Sequence, residues 1–442
     1  MNKKVSLYTL GCKLNFSETS IIGNEFLRNG FSKVDFDEVA DVYVINTCTV
    51  TENAEKDCRQ IVRKALKQNP NAYIIVTGCY AQLRAEEIAK IDGVDAVLGS
   101  NEKFKIFDLI KEFDKEELSC IYVNPTEKLN EFNSAHSSDG DDRTRAYFKI
   151  QDGCDYKCTF CTIPLARGES RSLNTDLAVK QFIDLINLGY KEIILTGVNV
   201  GDYGKNLNVD LYNLLKKFVN VDGDFRIRIS SIEPNLLTDE IINLAAENHK
   251  ICNHFHIPLQ SGSDKILKLM QRRYNTSFYK NVIEKVVNKI PDVGIGIDVI
   301  IGFPGETEND FLDTYNFLKE VPASYLHVFT YSARPNTKAI LMDEKVTHEE
   351  KKKRSSMLRI LGEKKKSIFY RKMIGKELKV LFEETEKENY LYGFTSNYVR
   401  VKYPFETDLA NKFKFVNIKS VNDNICLVEN FSNEPNQIEI LL

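Results

Sequence analysis

Hydrophobic residues in the first third of the chain occur in short runs that polar segments separate. Four of these runs, KVSLYT, VYVIN, AYIIVT and VDAVLG, are rich in β-branched residues and predict strands. Polar stretches with helical character follow some of them, as at 52–68 and 84–91. This alternation predicts βαβ units and a parallel sheet, because parallel strands need a crossover connection between them. We assign residues 1–130 to such an α/β domain.

A loss of periodicity separates this region from a second alternation. Ser, Asp and Gly dominate residues 131–145, which predicts a flexible linker. Six further strand-like runs follow, with helix-like segments between them: AYFKIQ, EIILTG, FRIRIS, NHFHIP, GIGIDVII and YLHVFT. Six β/α units are fewer than the eight that close a full barrel, so residues 146–340 predict a partial (βα)6 barrel.

The pattern changes again in the last hundred residues. Residues 341–372 predict a basic helical connector, with 11 Lys and Arg against 5 Asp and Glu. From residue 373 to residue 442, strand-like runs return at turn-separated spacing: ELKVLF, YLYGFTSNYVRVKY, KFVNIKSV and NICLVE. Short strands separated by turns predict a small all-β barrel of OB-like shape.

Length and charge narrow the class of protein. A chain of 442 residues is too long for one hydrophobic core, which agrees with several domains. The net charge is −3, so a nucleic-acid surface would have to be local. No apolar run reaches about 18 residues, and the N-terminus becomes polar too early for a signal peptide. We therefore expect a cytoplasmic protein, whose cysteines serve as thiols or metal ligands rather than disulfides.

Three cysteines in the N-terminal domain share one local context. Cys12, Cys48 and Cys79 each follow a predicted strand and precede a predicted helix. The carboxyl ends of parallel strands lie at one edge of a sheet, so we expect these three thiols to converge. Gly11 and Gly78 directly before two of them permit tight turns. The alternative is three unrelated buried cysteines.

A second set of cysteines lies within eight residues, in the sequence CDYKCTFC. Cys154, Cys158 and Cys161 follow the first strand of the second alternation. Structural zinc usually takes four ligands, whereas three closely spaced thiolates suit an iron–sulfur cluster with one iron open to a small molecule. Zinc with an exogenous fourth ligand is the alternative. The remaining cysteines lack such a context and are interpreted as structural: Cys58, Cys120, Cys252 and Cys426.

The spacing C-x-x-x-C-x-aromatic-C resembles the signature of the radical S-adenosylmethionine (SAM) superfamily and fits it at every position. The chain is similar to methylthiotransferases in the order of four segments and in its small terminal β-barrel. The segments are TLGCKLN, VINTCTVT, TGCYAQ and CDYKCTFC. Within that family, three segments look most like the subgroup that acts on threonylcarbamoyl-adenosine: CDYKCTFCTIPLARGESRS, HIPLQSGS and YLHVFTYSARPNTKA. The terminal barrel resembles the RNA-binding TRAM domain.

The resemblance implies two 4Fe–4S clusters and SAM as cofactors. The first cluster would be on Cys154, Cys158 and Cys161, where the open iron chelates SAM and its reduction yields a 5′-deoxyadenosyl radical. The auxiliary cluster would be held by the three N-terminal cysteines. No acid–base side chain is assigned as catalytic, because the clusters and SAM would carry the chemistry.

The implied reaction is methylthiolation of carbon 2 of threonylcarbamoyl-adenosine next to the anticodon of tRNA. The implied partners are the tRNA anticodon loop, an electron donor such as flavodoxin or ferredoxin, and a sulfur donor, with the enzyme a monomer. Three alternatives stay open. The substrate could be isopentenyl-type adenosine in tRNA or a ribosomal protein, or the chain could be a non-catalytic, metal-containing RNA-binding protein.

Strand ends of the predicted barrel supply the candidate SAM contacts, although a turn or helix cap is the alternative for each: Thr196, Gly197, Asn199, Ser230, Glu233, Gln260 and Gly302. Basic residues near strand-end loops and on the terminal barrel are candidate RNA contacts: Arg167, Arg171, Arg272, Arg273, Arg400 and Lys402. Tyr398 is a candidate aromatic contact to RNA. His254 and His256 alternate on one strand, so we expect both on one side, hydrogen-bonded within the protein.

Overall fold

The computed structural model describes residues 3–49, 54–115, 118–129, 132–137 and 144–432. An N-terminal parallel sheet, a partial barrel and a small closed β-barrel follow one another along the chain. This α/β architecture confirms the predicted fold class. Residues 52–53 of the first predicted helix and 433–442 of the predicted terminal domain lie outside the described residues. Among the described residues, no helix combines the length and apolar character needed to cross a membrane.

The N-terminal sheet has six parallel strands in the order β2-β1-β3-β4-β5-β6. The strands are β1 (Lys4–Thr9), β2 (Ser32–Val34), β3 (Val42–Thr47), β4 (Tyr73–Gly78), β5 (Ala96–Leu98) and β6 (Cys120–Tyr122). The helices are α1 (Lys13–Arg28), α2 (Ala54–Gln68), α3 (Cys79–Leu83), α4 (Ala85–Ala89) and α5 (Ile106–Leu109). Apolar clusters cover both faces, which explains why β3 and β4 are buried along their whole length. The strand order reverses between β1 and β3, and such a reversal leaves a crevice at the carboxyl edge of a sheet.

The segment 131–145 departs from the predicted flexible linker. Residues Ala135–His136 form β7, an edge strand that pairs antiparallel with β8 (Arg145–Lys149). Ala135 is fully buried, and Phe132 packs against the core of the barrel. A two-residue strand is too short to produce a periodic pattern, so hydrophobic patterning could not predict it. Residues 130–131 and 138–143 lie outside the described residues.

The partial barrel has six parallel strands in the order β8-β11-β12-β13-β14-β15, with a bridge between Ser231 and His256 joining its two halves. Its remaining strands are β9 (Gln151–Asp152), β10 (Arg171–Ser172), β11 (Glu192–Thr196), β12 (Arg226–Ile229), β13 (His254–His256), β14 (Gly294–Ile301) and β15 (Tyr325–Thr330). Its helices are α6 (Ile163–Arg167), α7 (Thr175–Asn187), α8 (Leu211–Val219), α9 (Asp239–Glu247), α10 (Asp264–Leu269), α11 (Thr276–Lys289) and α12 (Glu308–Glu320). Alternate side chains pack under the helices and face the interior, and we call that interior the lumen.

A long helix, α13 (His348–Arg371), connects the barrel to the C-terminal domain. It starts with a capping box between Thr347 and Glu350, which satisfies backbone N–H groups at its N-terminus. The C-terminal strands close into a barrel in the order β16-β17-β18-β20-β19. They are β16 (Glu377–Lys387), β17 (Tyr390–Thr395), β18 (Arg400–Pro404), β19 (Phe413–Asn422) and β20 (Ile425–Ser432).

The turn between β17 and β18 closes the amino end of the lumen. Arg228 on β12 donates to the carbonyl of Ser396 at 3.0 Å. Tyr398 in this turn packs on His254 and Phe394, with ring centroids 4.6 Å and 4.7 Å apart. This position corrects the expectation that Tyr398 contacts RNA, because its ring is used in packing between two domains.

Candidate active site

The N-terminal cysteines lie at the carboxyl edge of three neighbouring strands. Cys12 precedes α1 after β1, Cys48 follows β3, and Cys79 begins α3 after β4. Gly11 has φ +114°, and a Cβ atom built there would lie 2.9 Å from the Cys48 sulfur. The loops that carry Cys12 and Cys48 therefore touch, and only glycine fits at position 11. The crevice between β1 and β3 brings the loops of Cys12 and Cys48 into contact.

The second set of cysteines lies on one loop at the carboxyl end of the barrel. The backbone N–H of Cys161 donates to the carbonyl of Cys158 at 3.1 Å, which folds the loop back on itself. Burial raises the pKa of the Cys154 and Cys161 thiols to about 12. Negative charge on the neighbouring Cys158 also acts to raise both pKa values. Without a bound cation these groups stay protonated, whereas metal coordination deprotonates thiols. The donor set fits a metal cluster.

The two sets of cysteines are adjacent. The residue after Cys48 is Thr49 and the residue after Cys161 is Thr162, and their hydroxyl oxygens lie 3.1 Å apart. Ser100 in the N-terminal domain also donates to the carbonyl of Ala166 at 2.9 Å. These contacts join the edge of the N-terminal sheet to the rim of the barrel.

Arg167 corrects one of the RNA-contact predictions. This residue is only 1% exposed. Its guanidinium donates to the Cys79 sulfur at 3.2 Å, to Glu18 at 2.9 Å and to Asp152 at 3.1 Å. Arg171 is also buried, and its guanidinium lies 3.3 Å from the Asp152 carboxylate. Both arginines therefore neutralise carboxylates between the domains and are not available to RNA phosphates.

Glu18 is the centre of this buried network. Its carboxylate lies 2.6 Å from the Lys103 ammonium and 3.0 Å from the Lys149 ammonium, in addition to its contacts with Arg167. Burial alone would raise the pKa of Glu18, but Arg167, Lys103 and Lys149 hold that pKa well below its usual value. Lys149 belongs to the barrel and Glu18 to α1, so the network fixes one domain against the other. Sequence reasoning missed Glu18, because its partners are far away in the chain.

Arg272 contacts the cysteine loop rather than the surface. Its guanidinium donates to the Cys158 sulfur at 3.1 Å and forms an ion pair with Glu233. Both residues were predicted to contact ligands, Arg272 as an RNA contact and Glu233 as a SAM contact. The burial of Arg272 beside Cys158 corrects its RNA assignment. Arg273 is exposed, and its guanidinium lies 3.8 Å from the centre of the Tyr156 ring.

The terminal-barrel candidates are partly exposed. Arg400 forms an ion pair with Glu383 at 2.6 Å and lies over the Phe394 ring. The Lys402 ammonium lies 4.7 Å from the centre of the Tyr390 ring. These cations keep some access to solvent and remain candidates for contact with RNA.

Three SAM candidates surround the end of β11. The backbone N–H of Asn199 donates to the Gln151 side-chain oxygen at 2.9 Å, and that oxygen also lies close to Gly197. The Thr196 hydroxyl and the Asn199 side-chain oxygen are buried without a hydrogen-bond partner in the described part of the chain. Buried polar atoms are rarely left unpaired, so these two fit contact with a polar ligand such as SAM.

The other strand-end candidates are held by local contacts. Ser230 follows β12, and its N–H donates to the carbonyl of Leu195 at 3.2 Å. Gln260 has φ +70° and its N–H donates to the carbonyl of Asp298 at 2.9 Å. Gly302 also has positive φ, but the space beside it is filled by Lys351 of α13. This contact corrects the assignment of Gly302 as a SAM contact, because its missing side chain makes room for the connector helix.

The lumen of the barrel has a polar wall. His256 lies 2.7 Å from the Asp298 carboxylate through Nε2 and 2.8 Å from the Ser231 hydroxyl through Nδ1. His254 shares a hydrogen bond with the Tyr325 hydroxyl at 2.8 Å. The expectation that both histidines lie on one side and are hydrogen-bonded within the protein is confirmed. Burial holds the pKa of His254 well below its usual value, so this ring is neutral.

Comparison with known proteins identifies the family. The family model described as the radical SAM superfamily matches residues 148–318, and the uncharacterized protein family UPF0004 matches residues 4–99. The threonylcarbamoyladenosine tRNA methylthiotransferase MtaB of Bacillus subtilis (strain 168) is 41% identical over 420 residues, which cover 94% of this chain and 93% of that protein. The chain belongs to the radical SAM methylthiotransferases.

Other relatives of this methylthiotransferase carry two different names. MtaB of Aquifex aeolicus (strain VF5) is 40% identical and covers 90% of this chain and 96% of the relative. The tRNA-2-methylthio-N(6)-dimethylallyladenosine synthase of Fusobacterium nucleatum is 37% identical and covers 94% and 97%. Among solved structures, the radical SAM methyltransferase TsrM from Kitasatospora setae, with tryptophan and a SAM analogue bound, shares the fold. Its TM-score is 0.57 at 14% identity, with 76% of this chain and 75% of TsrM covered.

Membership of this family implies SAM and iron–sulfur clusters as the cofactors of the methylthiotransferase. The half-buried thiols of the barrel loop are suitable ligands for a cluster. The unpaired oxygens of Thr196 and Asn199 lie at the same end of the barrel and are suitable for a polar cofactor. The residues present therefore fit the implied groups.

Proposed function

We propose that this enzyme inserts a methylthio group at carbon 2 of threonylcarbamoyl-adenosine, next to the anticodon of tRNA. The observation that carries the proposal is the contact between Thr49 and Thr162, which follow Cys48 and Cys161. A substrate base in the lumen would lie near both sets of cysteines. The relatives named for threonylcarbamoyladenosine are 41%, 40% and 39% identical, and this supports that substrate.

In this proposal each set of cysteines holds one 4Fe–4S cluster. Cys154, Cys158 and Cys161 would hold the cluster that binds SAM, and Cys12, Cys48 and Cys79 the auxiliary cluster. When bound, these groups supply a radical for the carbon-2 hydrogen and sulfur for its replacement. An aromatic C–H is not acidic, so His256 and Asp298 could not remove this hydrogen as ordinary bases.

The side chains of this enzyme would orient and neutralise the bound groups. Arg272 and Arg167 each direct a cation at one thiol of their set, Cys158 and Cys79, which offsets thiolate charge. Thr196 and Asn199 would accept hydrogen bonds from SAM, with Gln151 orienting Asn199. The turn that contains Tyr398 would keep water from entering the amino end of the lumen.

The tRNA would approach the open carboxyl end of the lumen. Exposed Arg273, together with Arg400 and Lys402, offers cations for RNA phosphates, and α13 adds exposed lysines at 352, 353 and 364. We further propose that the terminal barrel is a TRAM domain and that the domains keep the limits 1–130, 146–340 and 373–442. A flavodoxin-like or ferredoxin-like electron donor, a separate sulfur donor, a cytoplasmic location and a monomeric state complete the proposal.

An anaerobic assay tests the function. Reconstituted protein, SAM, a reductant and threonylcarbamoylated tRNA should yield the methylthiolated nucleoside on mass spectrometry of digested RNA. About eight irons and eight sulfides per chain are expected for two cubane clusters. Zinc without sulfide would contradict the proposal and favour a non-catalytic RNA-binding protein.

The dimethylallyladenosine name of the Fusobacterium relative makes isopentenyl-type adenosine the second candidate. The same assay with isopentenylated tRNA distinguishes the two substrates. Product from that RNA alone would transfer the proposal to the second candidate.

A further inference from the structure

Three side chains of the lumen wall have no role in the function proposed so far: His256, Asp298 and His327. They lie on the neighbouring parallel strands β13, β14 and β15. The register pairs Asp298 with His327, and it pairs His256 with Gly296, two residues before Asp298. Residues two apart on a strand point to the same face, so all three side chains enter the lumen. We call these three residues the lumen triad.

The possible ligand atoms of the lumen triad lie close together. One atom from each residue, an imidazole nitrogen or a carboxylate oxygen, is within 4.8 Å of the other two. Nε2 of His256 is 2.7 Å from the Asp298 carboxylate, and the His256 and His327 rings have centroids 5.4 Å apart. Ligands bonded to one ion at about 2.0–2.2 Å lie about 3–4 Å from one another. The triad therefore needs only a small closure to hold a metal ion.

His327 is free to make this closure. It is exposed on β15, the last strand of the partial barrel. Its ring packs near Tyr325 and Phe329, at centroid distances of 5.1 Å and 6.5 Å, and its nitrogens form no hydrogen bond with the described residues. The ring can thus turn towards His256 and Asp298 without breaking a hydrogen bond.

His256 is already oriented as a metal ligand. Its Nδ1 lies 2.8 Å from the Ser231 hydroxyl, which can either donate or accept a hydrogen bond. A metal-binding histidine usually donates its second ring N–H to such a partner, which fixes the ring and leaves the other nitrogen for the ion. Ser231 can play this part while Nε2 of His256, beside Asp298, binds the ion.

The side of the lumen triad towards the amino end of the barrel is filled. His254 and Tyr325 precede His256 and His327 by two residues and share a hydrogen bond of 2.8 Å. A Cβ atom at Gly296, on the strand between them, would collide with the Tyr325 ring. An ion on the triad would therefore have its open coordination positions towards the carboxyl end of the lumen, from which the tRNA would approach.

We propose that His256, Asp298 and His327 bind a divalent transition-metal ion whose open position takes a carboxylate oxygen of the substrate. Two imidazoles and one carboxylate suit ions such as Fe²⁺ and Zn²⁺, and three protein ligands leave a position for an exogenous ligand. The metal site depends only on the three side chains, whereas the substrate ligand rests on the proposed function. The threonylcarbamoyl group ends in a carboxylate, but the isopentenyl group has no oxygen. The ion therefore favours the first substrate.

A titration of the reconstituted holoenzyme with Mn²⁺ tests the metal site. Mn²⁺ prefers oxygen ligands to thiolates, so it avoids any cysteine that lacks its cluster. Oxidised cubane clusters are diamagnetic, so the electron paramagnetic resonance signal of free Mn²⁺ measures binding under anaerobic conditions. Wild type should bind about one ion per chain. His327→Gln and Asp298→Asn should each raise the Kd of the ion by at least about 10-fold.

His249→Gln is the matched control, because His249 is an exposed histidine outside the lumen. It should bind Mn²⁺ as wild type does. His327 is exposed, so its replacement should leave the fold and the iron and sulfide content unchanged. A wild-type protein that binds no Mn²⁺ would overturn the metal site, and so would equal Kd values in wild type and His327→Gln.

Binding of RNA hairpins tests the substrate ligand without turnover. Two hairpins carry the threonylcarbamoyl group, one with its free carboxylate and one as the neutral methyl ester. Fluorescence anisotropy gives each Kd in excess Mg²⁺, with and without Mn²⁺. Mn²⁺ should lower the Kd of the carboxylate hairpin by about 10-fold for wild type and should not change it for His327→Gln. The ester hairpin should bind equally with and without Mn²⁺.

The two measurements separate the possible failures. If Mn²⁺ lowers the Kd of both hairpins alike, or of neither, the carboxylate is not a ligand of the ion and that part of the inference is wrong. If wild type methylthiolates only an isopentenylated hairpin, the proposed function fails and the substrate ligand fails with it. The Mn²⁺ titration still decides the metal site in that case, because it uses no RNA.

Discussion

Cys154, Cys158 and Cys161 lie on one loop of the barrel, whereas Cys12, Cys48 and Cys79 come from three loops at the edge of the N-terminal sheet. Each set receives one buried arginine, Arg272 at Cys158 and Arg167 at Cys79. The barrel set depends mainly on the spacing of cysteines within one loop. The N-terminal set depends on strand order, on glycine at position 11 and on packing between two domains. Substitutions far from the cysteines should therefore damage the N-terminal set more than the barrel set.

The largest expected effects separate the two sets by function. Cys158→Ala should stop formation of 5′-deoxyadenosine and of methylthiolated product, because its loop would hold the SAM-binding cluster. Cys48→Ala should still cleave SAM but should give no methylthiolated product. Each variant should keep about half of the iron. Product analysis by chromatography with mass spectrometry measures both outcomes.

Cys120→Ala is the control for these variants, because Cys120 lies on β6 away from both sets. It should keep both activities and all the iron. If Cys48→Ala lost SAM cleavage as completely as Cys158→Ala, the division of roles between the two sets would be wrong.

A large loss of stability is expected from Arg167→Met. The change leaves Glu18 and Asp152 buried with one cation fewer, and breaking a buried ion pair in this way costs about 3–5 kcal/mol. Urea unfolding should show the loss in the N-terminal domain, and less iron should remain on that domain. Lys205→Met removes an exposed ion pair with Asp155 and should cost at most about 1 kcal/mol. Equal costs for the two variants would contradict the buried network.

The sequence was sufficient for features that depend on local spacing. CDYKCTFC identified the barrel loop, because its three thiols are neighbours whatever the rest of the chain does. Cys12, Cys48 and Cys79 could also be grouped, because parallel strands place their following loops at one edge. Fold class followed from alternating strands and helices for the same reason.

Features that depend on distant partners could not be predicted. Arg167 was assigned to RNA because a basic residue in a loop is usually solvated, but Glu18 lies 149 residues away in the chain. Gly302 and Tyr398 were misinterpreted in the same way, since Lys351 and His254 come from other elements.

A smaller and more local effect is expected at Gly11. Gly11→Ala places a methyl group against Cys48 at a positive φ, which costs about 1–3 kcal/mol in strain. The variant should lose iron from the N-terminal set faster during gel filtration and should keep SAM cleavage. Gly375→Ala also has a positive φ, but no atom lies within 4 Å of the added carbon, so cluster retention should be unchanged. Loss of iron from both variants alike would mean that backbone strain alone explains the effect.

The smallest expected effect concerns cluster-free protein at alkaline pH. Burial raises the pKa of Cys154 and Cys161 to about 12, above the value of about 8.5 for an unfolded thiol. The unfolded chain therefore releases these protons first, so stability is lost as the pH rises from about 8.5 towards 12, by at most about 1.4 kcal/mol per pH unit and thiol. Alkylation at pH 8 should label exposed Cys12 well before Cys154 or Cys161, as peptide mass spectrometry can measure. Equal labelling rates would show that the barrel loop is not closed without its cluster.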